Sequence, residues 1–207
     1  MKIRPFARQL QYSTLALALM SAGPLPALAQ AGHSHILTPQ TNELTADQKS
    51  RASALLAKVR DATERFQNVE VAEAEGYELQ FGCVSGDSAG AMGLHYVNGY
   101  FVNKGEVNLK HPQIVIYEPT ADGRLRLTGA DYLIFAEGWD KANPGAPPQL
   151  MGQLFHLFDA PNRFGLPAFY TLHVWAWKDN PNGAFVNWHP NVSCESFTGK
   201  DDPDPRR

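Results

Sequence analysis

The chain has few cysteines, no block of basic residues and no long apolar run after its first residues. Only 2 of its 207 residues are cysteine, and they are not spaced as C-x-x-C. Lysine and arginine together number 18 against 21 acidic residues, so nucleic acid and anionic membranes are excluded as expected partners. No later stretch reaches the roughly 18 apolar residues that suggest a membrane span. We therefore expect neither a nucleic-acid partner nor a membrane span.

The first 31 residues have the composition of a secretory signal peptide. Three basic residues precede a short apolar run, LALALM (15–20), and a small-residue motif, AQA, ends at Ala31. These are the three parts of a cleavable signal, and cleavage after Ala29 fits the same rule. Removing 1–31 leaves 176 residues, the size of one domain, and takes the formal charge from −3 to −6. The sequence predicts a secreted or periplasmic protein.

Cys83 and Cys194 form an even pair. In an oxidising compartment such a pair is first interpreted as a disulfide. The bond would close a loop of about 110 residues and stabilise the fold by roughly 4–5 kcal/mol on the chain-entropy model. The alternative is a redox-active or metal-binding thiol pair, which the spacing does not support.

The mature sequence begins with a helical pattern and continues with strand patterns. Thr45 is a good N-cap, and apolar residues recur after it at helical spacing. Strand-rich stretches follow Gly76. The dipeptides Asn98-Gly99 and Asp122-Gly123 are strong hairpin signals.

These patterns predict an α+β fold. We expect an N-terminal amphipathic helix packed on a mainly antiparallel sheet, which is either a meander or a partly closed barrel. The predicted single domain covers 45–197. A flexible lead at 32–44 precedes it, and a flexible tail at 198–207 follows it.

Three histidines lie within apolar or aromatic stretches: His95 in GLHYV, His156 in LFHLF and His173 in LHVWAW. A buried imidazole needs a hydrogen-bond partner or a metal. Three imidazoles, or two with a carboxylate, can form an open zinc, copper or iron site. Glu118 and Asp131 are the candidate carboxylates. The alternative is three unrelated histidines bonded to the backbone, since their spacing is not that of a local metal motif.

The stretch 169–177 is predicted to be a strand, with 184–188 as its partner. Alternation along a strand places His173, Trp175 and Trp177 on one face. The other face is apolar. If that face meets the helix, another element must cover the His/Trp face, as closure of the sheet into a barrel would do. We therefore predict that Trp175, Trp177 and Tyr96 line an apolar ligand pocket beside His173, the alternative being that they pack in the core.

The segment GDSAG (86–90) matches the pattern G-x-S-x-G. A nucleophile elbow requires a strand, a sharp turn and then a helix. Here the following residues predict a strand, so a flexible glycine-rich loop is the favoured interpretation. A triad of Ser88, His173 and Asp131 stays as an alternative.

Three segments resemble a family of secreted bacterial proteins of uncharacterised function. They are GAMGLHYVN (90–98), GQLFH (152–156) and YTLHVWAWKDNPNGAFVNWHPNVSC (170–194). The resemblance covers the chain from about Glu73 to Cys194. It implies a single exported domain whose signature segments contain His95, His156 and His173, and it implies no activity, cofactor or substrate. The family has Asn where this chain has His189, which makes His189 a weaker candidate for a shared site.

Three functions are compatible with the sequence. The first is an exported domain that binds a small molecule or metal ion in a His/aromatic pocket built around His95, His156 and His173, with Glu118 as a further ligand. The second is an enzyme that uses one of these histidines as general acid or base. The third is a non-catalytic envelope or interaction protein with structural histidines.

Overall fold

The computed structural model describes residues 44–199. The predicted signal peptide, nearly all of the predicted lead and most of the predicted tail lie outside the described residues. The first helix, α1, spans Ala46–Thr63. Thr45 caps it: its hydroxyl accepts from the backbone N–H of Gln48, and the Gln48 side chain accepts from the N–H of Thr45. This capping box confirms the predicted start of the helix.

A six-stranded sheet follows α1, and all of its neighbouring strands are antiparallel. Its strands lie in the order β1-β2-β3-β4-β8-β7, so β1 to β4 form a meander, and the sheet curls as a half-barrel. The predicted α+β class is confirmed. The bounds are β1 Tyr77–Gly86, β2 Gly90–Asn98, β3 Ile114–Pro119, β4 Leu125–Phe135, β7 His156–Phe158 and β8 Phe169–Val174.

The remaining elements are short. A 3-10 turn (Glu64–Gln67) and α2 (Val69–Ala74) connect α1 to the sheet. A helix follows β2 and another follows β4, and a two-stranded hairpin precedes β7. These elements are α3 Gly99–Lys104, α4 Ala136–Ala142, β5 Gln149–Leu150 and β6 Gln153–Leu154.

One of the two predicted hairpins is confirmed and the other is wrong. Asp122-Gly123 lies in the turn between β3 and β4. At Asn98-Gly99 the chain instead enters α3, because the Asn98 side chain accepts hydrogen bonds from the backbone N–H groups of Tyr100 and Phe101. Asparagine is as good an N-cap as it is a turn residue. The local signal therefore fits both structures.

The two faces of the sheet have different partners. On one face, Leu55 and Val59 of α1 pack against Leu172, Val174 and Ala176, the three residues that the alternation of the 172–177 stretch places on one face. The opposite face presents the polar residues of β2, β4 and β8 that are described below. The helix therefore shields one side of β8, and the other side is available for a site.

Strand β8 ends at Val174, not at residue 177 as predicted. The backbone N–H of Ala176 bonds to the carbonyl of Val174, which closes a tight turn. The chain beyond it reaches the helix, where the Trp177 indole N–H donates to the Thr63 hydroxyl at 2.9 Å. Trp177 therefore does not share a face with His173.

A disulfide and a backbone bridge connect residues near the end of the described chain to β1 and β2. Cys83 and Cys194 form a disulfide, as predicted. Ala91 and His189 exchange backbone hydrogen bonds of 3.2 and 3.1 Å. Next to this bridge a Cβ on Gly90 would lie 2.1 Å from the His189 carbonyl oxygen, so only glycine permits this approach.

The disulfide is typical of an oxidising compartment and fits a periplasmic or extracellular protein. Among the helices of residues 44–199, none has both the length and the apolar character needed to cross a membrane.

Candidate metal centre

His95, Asp131 and His173 meet on the face of the sheet that α1 does not cover. Asp131 and His173 are direct partners in the β4–β8 ladder. His95 comes from β2, and its ring centroid lies 5.6 Å from that of His173. One ligand atom from each of the three residues lies within 4.8 Å of the other two. The group could hold a metal ion.

All three side chains are buried and two have fixed orientations. His95, Asp131 and His173 are 5%, 3% and 3% exposed. The Thr171 hydroxyl donates to one carboxylate oxygen of Asp131. The Nδ1 of His95 lies 3.2 Å from the carbonyl oxygen of Gly93. Since a carbonyl only accepts, Nδ1 carries the proton and Nε2 keeps its lone pair, as in a typical metal-binding imidazole.

His173 is unusual because neither of its ring nitrogens has a hydrogen-bond partner within residues 44–199. The nearest carboxylate oxygen, Oδ2 of Asp131, is 3.4 Å from Nδ1. Leaving a buried polar group unpaired costs about 1–3 kcal/mol. Buried polar side chains are normally paired, so an orphaned imidazole requires an explanation. A metal ion bound to one of its nitrogens would supply one.

The protonation states suit metal binding. Burial lowers the pKa of His95 to about 4. Burial lowers the pKa of His173 to about 3. Burial also raises the pKa of Asp131 to about 6, against the opposing hydrogen bond from Thr171. At neutral pH the group therefore contains two neutral imidazoles and one carboxylate, the deprotonated forms that a metal requires.

A small cavity of about 30 Å³ adjoins the group. It is about two to three times the minimum that one ordered water needs, roughly 10–15 Å³. Its lining is mostly apolar. Six of the apolar side chains that line it are Phe81, Met92, Phe158, Phe164, Leu166 and Phe169. The group therefore lies at the polar end of an apolar chamber.

Two of the predicted metal ligands lie outside this group. His156 lies on the edge strand β7, opposite Thr171 of β8, and its side chain is exposed. Glu118 is at the end of β3, where both of its carboxylate oxygens accept from the Lys178 ammonium, at 2.8 and 2.7 Å. Of the four predicted ligands the structure brings together His95 and His173, and Asp131 completes the group.

The three predicted pocket aromatics do not share a pocket. Tyr96 alternates with His95 along β2, so it packs in the core on the opposite face, with its ring 5.1 Å from that of Tyr117. Trp177 packs toward α1. Trp175 alone lies beside the group, 5.9 Å from the His173 ring. The cavity is lined by phenylalanines that the sequence analysis missed.

The Ser88 triad gains no support. Ser88 is exposed in the turn between β1 and β2. His173 is buried, and neither of its nitrogens bonds to any residue of the described chain. Asp131 was one of the two predicted carboxylates, whereas Thr171 was not predicted as its partner. The i, i+2 spacing of Thr171 and His173 on β8 was the available signal for it.

No family model, curated protein or solved structure matches this chain. The resemblance to secreted bacterial proteins therefore stays a prediction from the segments quoted above.

His189 has a structural role next to the group. It is fully buried, and its ring lies 4.8 Å from that of Trp175. Its Nδ1 accepts from the backbone N–H of Asn191, two residues ahead, at 3.0 Å. An asparagine side chain makes the same bond in an Asx-turn. His189 therefore holds the turn that leads to Cys194.

We expect His189→Asn to keep most of the stability, because the asparagine oxygen can replace Nδ1 as acceptor. His189→Ala leaves the Asn191 N–H unpaired and opens space beside Trp175, which should lower the free energy of unfolding by about 2–3 kcal/mol. Urea unfolding of both variants measures the difference. Equal losses in the two variants would show that the acceptor does not matter.

Proposed function

We propose that the protein is an exported metal-binding domain in which His95, Asp131 and His173 hold one divalent transition metal ion. The observation that carries the proposal is His173: a buried imidazole with two unpaired nitrogens, beside a buried carboxylate. Export is supported by the signal-like composition of 1–31 and by the disulfide.

The residues fit a metal ion in donor type and in spacing. Two imidazoles and one carboxylate suit zinc, copper or iron. With bonds of about 2.1 Å, two ligands on one ion lie at most about 4.2 Å apart. The three ligand atoms lie within 4.8 Å of one another, so side-chain shifts of under about 1 Å bring them into range. The partners of His95 and Asp131 orient those two side chains, as outer partners do in metal sites.

Three protein ligands would leave at least one coordination position open, and the cavity adjoins the group. An ion held there supplies a Lewis acid or activates a bound water. His95 and His173 would hold it as neutral donors. Asp131 would reduce the net charge of the site, and the apolar walls would exclude bulk water.

The alternative of a general acid/base enzyme is less well supported. An efficient general base has a pKa near the working pH. Burial lowers the pKa of His95 to about 4 and of His173 to about 3. Without a metal, neither histidine would gain a proton near neutral pH.

Elemental analysis of protein purified from the periplasm, without chelator or His-tag, tests the proposal. We expect about one equivalent of a transition metal in the wild type and in His156→Ala, the matched control at an exposed histidine. His95→Ala, His173→Ala and Asp131→Asn should bind the same metal at least about 100-fold more weakly after reconstitution.

Circular dichroism of each variant separates loss of metal from loss of fold. A wild type that takes up no metal even after reconstitution would refute the proposal. If the wild type binds no metal and the histidine variants unfold, the result supports the alternative in which the histidines have a structural role.

A further inference from the structure

Two phenylalanines from different elements meet at the wall of the cavity. Phe81 belongs to β1, and Phe164 belongs to the loop between β7 and β8. Their ring centroids are 5.3 Å apart. Both line the cavity and both are half-buried, so each ring has one part toward the cavity and another part toward solvent.

Phe81 reaches this position through an irregular backbone. Gln80 pairs with His95 and Cys83 pairs with Leu94, so Phe81 and Gly82 are extra residues in a bulge. The φ of Phe81 is +63°, a left-handed conformation that is disfavoured for a bulky side chain. In a regular strand Phe81 would point with Leu79 toward the core on the α1 side. The bulge turns its ring toward Phe164, as bulges that re-aim a side chain do.

The cavity behind these rings restricts what can reach the metal. It measures about 30 Å³, and Asp131 is the only carboxylate that lines it among the described residues. We propose that the open coordination position takes a small inorganic ligand of two or three heavy atoms, such as a diatomic molecule or a pseudohalide. Phe81 and Phe164 are the residues that exclude larger ligands. This inference rests on the proposed function.

Cobalt(II) is a suitable probe metal, because its visible absorption bands change when an added ligand coordinates. The cobalt-loaded protein is titrated with azide, which is small and linear, and with imidazole, which is larger. Azide should change the wild-type spectrum with saturation, and imidazole at the same concentrations should leave it unchanged. Cobalt content after desalting shows that imidazole has not removed the metal.

Enlarging the entrance should change this selectivity. Phe164→Ala and Phe81→Gly should each raise the imidazole affinity at least about tenfold and change the azide affinity by less than about threefold. Glycine also adopts the left-handed conformation freely, so Phe81→Gly keeps the bulge. Phe101→Ala is the control, because Phe101 is half-buried against Tyr77 and His111 in another cluster. If Phe164→Ala does not fold, Phe164→Leu is measured in its place.

The outcomes separate this inference from the proposed function. If cobalt binds through the three ligands but wild-type protein takes imidazole as tightly as azide, the size limit is refuted. The size limit is also refuted if neither probe reaches the bound cobalt, or if the folded Phe81 and Phe164 variants behave like Phe101→Ala. If cobalt does not bind at all, the proposed function itself fails.

Discussion

Replacing Cys83 and Cys194 together by alanine is expected to lower the free energy of unfolding by about 4–5 kcal/mol. The bond joins residues 111 positions apart, and closing so long a loop removes much entropy from the unfolded chain. For a domain of this size the loss corresponds to a fall in melting temperature of roughly 10–20 °C. Urea unfolding and a thermal melt of the double variant measure it.

Chemical reduction provides the control for this result. A reductant should destabilise the wild type by a similar amount and leave the double variant unchanged. A loss below about 1 kcal/mol in the double variant would show that the unfolded state is already constrained around these residues.

The metal-free protein is expected to lose several kcal/mol of stability between pH 6.5 and 4. The pKa of His95 is lowered from 6.5 to about 4, and that of His173 to about 3. The unfolded chain therefore takes up protons first as the pH falls. Each pKa unit is worth about 1.4 kcal/mol, so stability from the two histidines is complete above about pH 6.5 and declines below it.

Asp131 acts in the opposite direction. Its pKa is raised from 3.8 to about 6, so the folded state binds a proton before the unfolded state does. Its contribution is complete below pH 3.8 and is lost as the pH rises through 6. The two histidine shifts outweigh this single shift, and the net effect of acid is destabilising.

Urea unfolding at pH 7, 5.5 and 4.5, with metal removed by chelator, tests the pH dependence. His173→Leu should flatten the profile because it removes the larger of the two histidine shifts. His111→Ala, at an exposed histidine that contributes to none of these three shifts, should keep the wild-type slope. A wild-type stability that stays level or increases toward pH 4.5 would contradict the lowered histidine pKa values.

A local sequence signal predicted an element correctly where only one local backbone structure is compatible with that signal. The Thr45 cap and the Asp122-Gly123 turn are such cases, since the side chain of Thr45 bonds within its own turn and Asp122-Gly123 joins adjacent strands. The hairpin predicted at Asn98-Gly99 was wrong because an asparagine side chain can cap a helix as well as form a turn. The cysteine pair was predictable because two cysteines allow only one connectivity.

The candidate site was only half predictable, because it depends on strand register. His95 and His173 were singled out by their apolar neighbours, but which carboxylate joins them follows from the pairing of Asp131 with His173. Glu118 has the same chemistry and was the preferred choice, yet it lies against Lys178. Phe81 could not be predicted, because alternation along a regular strand points it to the other side of the sheet.

The late position of Cys194 also sets the order in which a growing chain can complete this fold. Both the disulfide and the His189 bridge fasten the first two strands to residues near the end of the described chain. A ribosome adding about 5–20 residues per second needs about 6–22 s to cover the 111 residues from Cys83 to Cys194. During that time Cys83 is a free thiol without its native partner. If the chain crosses the membrane unfolded and only after its synthesis is complete, this thiol stays on the reducing side until both cysteines have been made.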